Sequence, residues 1–352
     1  MSAPTRPGDR PGGRPGDRPG ADLLPALQVT GLAVEFPVER ALVRAVAGAS
    51  FSVMRGETVA LVGESGSGKS VSALAIMGLV DPPGRVTDGE VRIGGQPVLG
   101  LREEQWRTLR GRKVAMVFQD PMTSLNPSHR IGRQVAEAIR VHDAAVSKSD
   151  AKARAAALLE RVGIVPAAAR ARDYPHQLSG GQRQRVMIAM AIANQPDLLI
   201  ADEPTTALDV TTQAQVLDLL RDLQREMGLA LLLITHDLGV VAGIADRVVV
   251  MYAGRVVEEG TVDAIFRRAA HPYTRALLAS VPRTGDARGA LRAIVGSPPD
   301  PGERPPGCAF APRCTLAEDR CRTKVPDLRP VAEHHRAACV FGDQIAVGRL
   351  VP

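Results

Sequence analysis

The chain has 352 residues, 45% of them apolar and 23% charged, with a net charge of +6. That composition suits a sizeable core and excludes wholesale disorder. Aromatic residues make up only 3%, too few for a nucleic-acid reader built on rows of stacked bases, and the body has only a slight basic excess, so no nucleic-acid partner is expected.

Residues 6–20 repeat an Arg-Pro-Gly unit that suits neither helix nor sheet, which predicts a disordered tail over 1–22. From about residue 27 the pattern turns strand-like: LQVTGLAVEF, AVAGASFSVM and ETVALVG. The third run stops at a glycine-rich loop and passes into an apolar helix, Lys69–Leu79. EVRIGG and KVAMVFQ, within 90–119, read as two more strands. Residues 131–194 read mostly as helix, broken at Gly163 and Pro166. LLIAD (198–202) and ALLLIT (230–235) are the short continuous apolar runs of buried parallel strands, with a helix over Thr211–Met227 between them. This alternation predicts an α/β body over 23–282 with an inserted helical subdomain at about 131–194. Residues 283–352, dense in proline and holding every cysteine, are expected to form a small C-terminal extension. The longest run without a charge, Leu23–Val34, is too short and too polar to cross a bilayer, and no apolar run of a secretory signal opens the chain. The protein is therefore expected in the cytosol, with other subunits supplying any membrane portion.

GESGSGKS sets Gly63, Glu64, Ser65, Gly66, Ser67, Gly68, Lys69 and Ser70 in the pattern G-x-x-x-x-G-K-[ST], between a strand and a helix. Such glycines let successive backbone N–H groups turn inward around a phosphate, and the helix N-terminus adds a favourable dipole. Lys69 is then expected to reach the β- and γ-phosphates of ATP, and Ser70 to ligate Mg2+. A flexible turn would leave a lysine at that offset unexplained. LLIADE ends a buried strand in two carboxylates: Asp202 is expected to hold Mg2+ through water, and Glu203 to accept the proton of an attacking water. Alone, two acids after a strand would be an ordinary solvated turn. Gln119 and His236 are expected to close their strands at the sheet edge where ligands bind.

A second glycine motif, LSGGQRQR (178–185), opens a helix running to about Asn194. Ser179, Gly180, Gly181 and Gln182 stand at its N-terminus, a second phosphate-binding element. Two such elements beside one complete phosphate loop are reconciled by head-to-tail pairing with a second subunit; an ordinary helix cap on Ser179 is the alternative.

In this order the phosphate loop, FQDPMTSLNP around Gln119, LSGGQ, LLIADEPTTALD and His236 resemble the nucleotide-binding subunit of ABC transporters, over about residues 27–282. The resemblance implies a P-loop ATPase core with an antiparallel β portion, and a sandwich dimer in which Ser179 and Gly181 of one subunit meet the γ-phosphate held by the other. It implies Asp209 in the loop linking the two sites, His236 as a γ-phosphate sensor, Gln119 as a contact to Mg2+ or water near the membrane subunits, and Phe36 as the aromatic stacked on adenine. FQDPMTSLNP, YPHQLSGG, DVTTQAQVLDLL and HPYTRALLASVP look like the dipeptide/oligopeptide import branch, whose relatives also import nickel. Gln182 departs from the GGM of some members, which touches the subtype and not the hydrolysis. The implied partners are a related second ATPase chain, two transmembrane permease subunits and an extracytoplasmic substrate-binding protein, with this chain peripheral on the cytoplasmic face of the membrane. The competing class is a soluble ABC ATPase acting on ribosomes or DNA, which usually carries two cassettes or a coiled-coil insertion. A redox-sensing regulator is a third reading.

Cys308, Cys314, Cys321 and Cys339 are spaced C-x5-C-x6-C-x17-C. A cytosolic location disfavours disulfides, and four thiolates suffice for Zn2+ or an iron–sulfur cluster. The segment GCAFAPRC resembles the extension of the peptide-import ATPases, for some of which a 4Fe-4S cluster is implied. Such a cluster would pin a segment too poor in apolar residues to fold alone. His334 and His335 could substitute as ligands, though solvated loop histidines are the expectation.

Overall fold

The computed structural model describes residues 24–38, 41–143, 145–206, 208–281, 294–300 and 302–350. The tail expected over 1–22 lies outside them. Strands β1 (Leu27–Val38) and β2 (Ala41–Val53) pair antiparallel. Strand β3 (Thr58–Val62) leaves them for a second sheet and runs through the glycine-rich loop into helix α1 (Lys69–Ile76). Strands β4 (Arg85–Ile93) and β5 (Gln96–Pro97) return to the first sheet, which has the order β2-β1-β4-β5. Helix α2 (Glu103–Leu109) and strand β6 (Val114–Val117) follow. A run of helices comes next: α3 (Pro121–Ser124), α4 (Ile131–Arg140), α5 (Lys148–Arg161), α6 (Ala167–Arg170) and α7 (Gly180–Ala191). Then come β7 (Leu198–Asp202), α8 (Val210–Met227), β8 (Ala230–Thr235), α9 (Leu238–Ile244), β9 (Arg247–Tyr252), β10 (Arg255–Thr261), α10 (Val262–Arg268) and α11 (Pro272–Ala279). The chain finishes with α12 (Asp319–Thr323), β11 (Arg329–Ala332), β12 (His335–Ala337) and α13 (Gly342–Ala346).

The larger sheet has the order β11-β12-β10-β9-β3-β8-β7-β6. Its centre is parallel: β9, β3, β8, β7 and β6 run the same way. Every residue of β3, β7 and β8 is buried, because helices or the smaller sheet cover both faces, and that is why these strands read as unbroken apolar runs. One core cluster joins α4, α5, α7 and α8 to one face of this sheet; another lies between its opposite face, the small antiparallel sheet and α1. Fully buried Leu231 and Leu232 belong to different clusters, as alternation along a strand requires. Each such side chain contributes about 1.5–3 kcal/mol of burial.

The register lines up the functional ends. Val62 pairs with Thr235 and Asp202 with Ile234, so the residues that follow β3, β7 and β8 emerge together at the carboxyl edge.

Several elements differ from the sequence expectation. β4 starts at Arg85, ahead of the apolar EVRI, because its first half is exposed or half-exposed and carries no apolar alternation. β6 stops at Val117, so Gln119 lies beyond the strand in a bend rather than closing it. The described part of the extension packs onto the body. β12 pairs antiparallel with β10, Gly260 opposite His335 and Glu258 opposite Ala337, and thereby continues the main sheet.

That pairing corrects the expectation for His335. It is 1% exposed, and its Nε2 lies 2.7 Å from Oε1 of the fully buried Glu258. The same carboxylate accepts the backbone N–H groups of Ala270 and His271. His335 opens β12 and points inward, while the preceding His334 sits in the turn before the strand, at φ 50°, and stays exposed.

Candidate functional site

The loop from Gly63 to Ser70 owes its shape to its glycines. Gly68 caps α1 in the left-handed region at φ 100°, and a Cβ there would stand 2.7 Å from the Ala45 carbonyl oxygen. Gly66 is also left-handed, at φ 76°. Lys69 starts the helix with its side chain folded back. Its Nζ donates to the carbonyls of Gly63 (2.7 Å) and Glu64 (3.0 Å). Burial pushes its pKa down, and the carboxylates of Glu203, Asp202 and Glu64 oppose that shift.

Ser70 Oγ donates to Asp202 Oδ1 at 3.0 Å. Burial raises the Asp202 pKa, and the Ser70 hydrogen bond counters it. A hydroxyl and a carboxylate side by side are the hard oxygen donors that Mg2+ takes, so these residues fit that ion. Glu203, the next residue, has φ 44°, a strained conformation for a non-glycine residue. This turn sends its carboxylate to three donors: Gln119 Nε2 at 3.1 Å, Thr206 Oγ1 at 2.8 Å, and His236 Nδ1 at 3.2 Å. The structure therefore brings Lys69, Ser70, Gln119, Asp202, Glu203 and His236 to one edge. A cradle of backbone N–H groups, a lysine, a cation site and a base are the parts that phosphoryl transfer to water requires.

The remaining expected residues sit apart from this edge or serve the fold as well. Phe36 lies half-buried on β1 against Gly84, whose missing side chain leaves room for the ring: a Cβ there would come within 2.3 Å of it. Ser179 caps α7, its Oγ accepting from the Gln182 N–H at 3.3 Å while Gln182 Oε1 accepts from the Ser179 N–H at 3.0 Å. Gly180 is exposed; Gly181 is buried, and a Cβ on it would meet Thr212 Cγ2 at 2.2 Å. Among the described residues no hydrogen bond joins Ser179–Gln182 to the loop at Gly63–Ser70. Asp209 caps α8, accepting from the Thr212 N–H at 3.0 Å and its hydroxyl at 2.6 Å, and these bonds lower its pKa.

Cys308, Cys314, Cys321 and Cys339 are free thiols that line one small cavity together with His271 and Phe310. Burial pushes Cys308 and Cys314 up, and Cys339 up to about 12. Among the described residues no group of His, Cys, Asp or Glu side chains is arranged to hold a metal ion. The thiols thus share a cavity, with the donor chemistry of an iron–sulfur or zinc site, without forming the closed ligand set expected from their spacing.

Two residues that touch the loop escape a reading of the sequence. Tyr273 Oη accepts the Glu64 N–H at 2.8 Å, and Arg313 grips the Glu64 carboxylate at 2.8 and 3.1 Å. The only local signal was the HPYT stretch at 271–274, which marks a branch without revealing a contact.

Comparison with known proteins agrees with this geometry. Residues 46–206 match the ABC transporter family, and residues 257–321 match the oligopeptide/dipeptide transporter C-terminal region. The dipeptide transport ATP-binding protein DppD of Escherichia coli is 53% identical over 315 residues, covering 90% of this chain and 96% of that protein. The oligopeptide transport ATP-binding protein OppD of Mycobacterium tuberculosis is also 53% identical, over 317 residues and 90% of this chain; the chain spans 52% of its length, about half. Among solved structures, the dimeric bacterial ABC transporter cassette MJ0796 superposes with a TM-score of 0.61 at 30% identity, over 67% of this chain and 98% of that one. The cbiO1 subunit from Clostridium perfringens gives 0.58 at 28%, over 69% and 90%. Among the described residues no helix is long and apolar enough to cross a membrane.

Proposed function

The chain belongs to the ABC transporter family of ATP-binding proteins, and from that premise we propose that it binds and hydrolyses ATP to energise the import of di- or oligopeptides. The observation that carries this reading is Glu203, whose carboxylate is held by Gln119, Thr206 and His236 beside the Ser70–Asp202 pair. The backbone of Gly63–Gly68 cradles the phosphates, and Lys69 exchanges its bonds to loop carbonyls for the β- and γ-phosphate oxygens. Ser70 and Asp202 would hold Mg2+, which when bound neutralises phosphate charge. Glu203 takes the proton of the attacking water as its oxygen bonds to the γ-phosphorus and the bond to ADP breaks. Gln119 and His236 orient that carboxylate and report the γ-phosphate, and Phe36 stacks on the base.

In this reading Ser179, Gly180, Gly181 and Gln182 complete the site of a second ATPase subunit, a related chain, with Asp209 at the join. Two permease subunits and an extracytoplasmic binding protein supply the passage and the choice of cargo, and this chain sits on the cytoplasmic face of the membrane. The names of the relatives support peptide as the cargo. The cysteine cavity is the place where a 4Fe-4S cluster would be held by Cys308, Cys314, Cys321 and Cys339, a reading supported by four free thiols lining one cavity. Anaerobic purification with iron and sulfide assays tests it: iron and sulfide in equal amounts support the cluster, and stoichiometric zinc replaces it.

The transport reading is tested by purifying the complex from solubilised membranes and measuring ATP-driven uptake of a labelled dipeptide into proteoliposomes. Uptake that needs ATP and is abolished by Lys69→Ala is expected. Recovery of ribosomal RNA or DNA in place of integral subunits would overturn it.

A further inference from the structure

Glu64, the second residue of the nucleotide loop, is held from behind by side chains far along the chain. Arg313 uses all of its N–H groups there. Nη1 donates to Glu64 Oε2 (2.8 Å) and Tyr252 Oη (3.2 Å), Nη2 to Glu64 Oε1 (3.1 Å) and the Ile294 carbonyl (3.3 Å), and Nε to the Val295 carbonyl (3.0 Å). Its side chain is 5% exposed, and its guanidinium lies 5.8 and 5.7 Å from the ring centres of Tyr252 and Phe310. The Glu64 backbone N–H is fixed separately, by the hydroxyl of the fully buried Tyr273. The rings of Tyr252, Tyr273 and Phe310 pack against one another, so both anchors share one rigid support. Pro298 and Pro299 line a small cavity together with the same stretch, Glu64–Ser67.

A bidentate pair of this kind fixes direction as well as distance. Its body-side partner is part of the very loop whose backbone would cradle the phosphates. A loop that is free to take other shapes binds its ligand more weakly, in proportion to the fraction in the competent shape. Because every donor of Arg313 is already engaged, the residue has none left for a phosphate.

We propose that Arg313 is a positioning residue: the docked extension, acting through Arg313 and Glu64, holds the loop from Gly63 to Gly68 in its phosphate-binding shape. This rests on reading that loop as the nucleotide site. Arg313 directly precedes Cys314, so the fold of the cysteine-bearing segment sets where the guanidinium stands.

The test is a double-mutant cycle on the full-length chain, read with a fluorescent ATP analogue and Mg2+. Arg313→Ala and Glu64→Ala are each expected to weaken binding by about tenfold, as when a loop falls to a minor competent population. The double variant is expected to bind no more weakly than the worse single, because both remove one link. In Arg313→Ala the KM for ATP rises while kcat stays within about twofold, and Arg313→Lys recovers part of the affinity. If Arg313→Ala does not fold, Arg313→Lys and Glu64→Gln make the same cycle. Additive losses, or unchanged affinity in Arg313→Ala, overturn the positioning role. Failure of the wild-type chain to bind the analogue overturns the nucleotide site itself.

Discussion

Replacing Glu203 with Gln removes one charge and one basic oxygen while keeping the side-chain shape. The carboxylate accepts from Gln119 and Thr206 on one oxygen and faces His236 on the other, at 2.8–3.2 Å. The amide oxygen can keep the first two bonds, so the turn at Glu203 has no reason to move. What is lost is the capacity to take a proton. A positioned general base contributes roughly 10²–10⁴ in rate, so turnover should fall by that factor, about 2.7–5.4 kcal/mol of barrier at ~1.36 kcal/mol per decade. Binding should move the other way. Glu203 is the first of the carboxylates acting on Lys69, and removing its negative charge relieves repulsion of a triphosphate. Phosphate release at saturating Mg-ATP, measured alongside the affinity for a fluorescent analogue, separates the two effects. Turnover at the wild-type rate would show that another group accepts the proton. Loss of binding together with turnover would make Glu203 a scaffold residue.

Gly181→Ala puts a methyl group 2.2 Å from Thr212 Cγ2; overpacking of about 1–3 kcal/mol should lower the melting temperature and ATPase activity together, with Thr212→Ser restoring part of both. Glu258→Ala strands the N–H groups of Ala270 and His271 and the ring of His335. At about 1–3 kcal/mol for each unsatisfied buried group, the expected result is a large drop in denaturant midpoint and early proteolysis within the extension. Burial depresses the His271 pKa from 6.5 to about 4. Its stabilising contribution is therefore complete above about pH 6.5 and is lost as the pH falls toward 4, by about 3 kcal/mol in all. His271→Asn keeps an acceptor for the Tyr273 N–H and should flatten the fall of the urea midpoint between pH 7 and pH 5; equal slopes in both proteins would refute this account.

The nucleotide edge is legible in the sequence because its chemistry sits at fixed offsets from local patterns. Lys69 and Ser70 follow a glycine spacing, and Asp202, Glu203 and His236 follow unbroken apolar strands whose parallel register brings their ends together. Gln119 is legible as a residue but not as a strand end, because the strand stops at Val117 and Phe118 intervenes. The contacts of the extension are invisible for the opposite reason. Glu64 meets Tyr273 across 209 residues and Arg313 across 249, and no local periodicity encodes a pairing at that range. His335 hides in a strand of only three residues, too short to show alternation. The cysteines advertise their proximity through clustering, yet spacing alone does not say how the thiols face one another.

The seam between β10 and β12 bears on how the protein can be handled. A fragment cut after α11 would strip Glu258–Gly260 of their β12 partner and leave bare backbone amides and carbonyls along that side of β10. Bare borders of this sort recruit further copies of themselves. The shortest well-behaved version should end beyond α13, and attempts to isolate the body without its appendix should yield clumps in place of monomers.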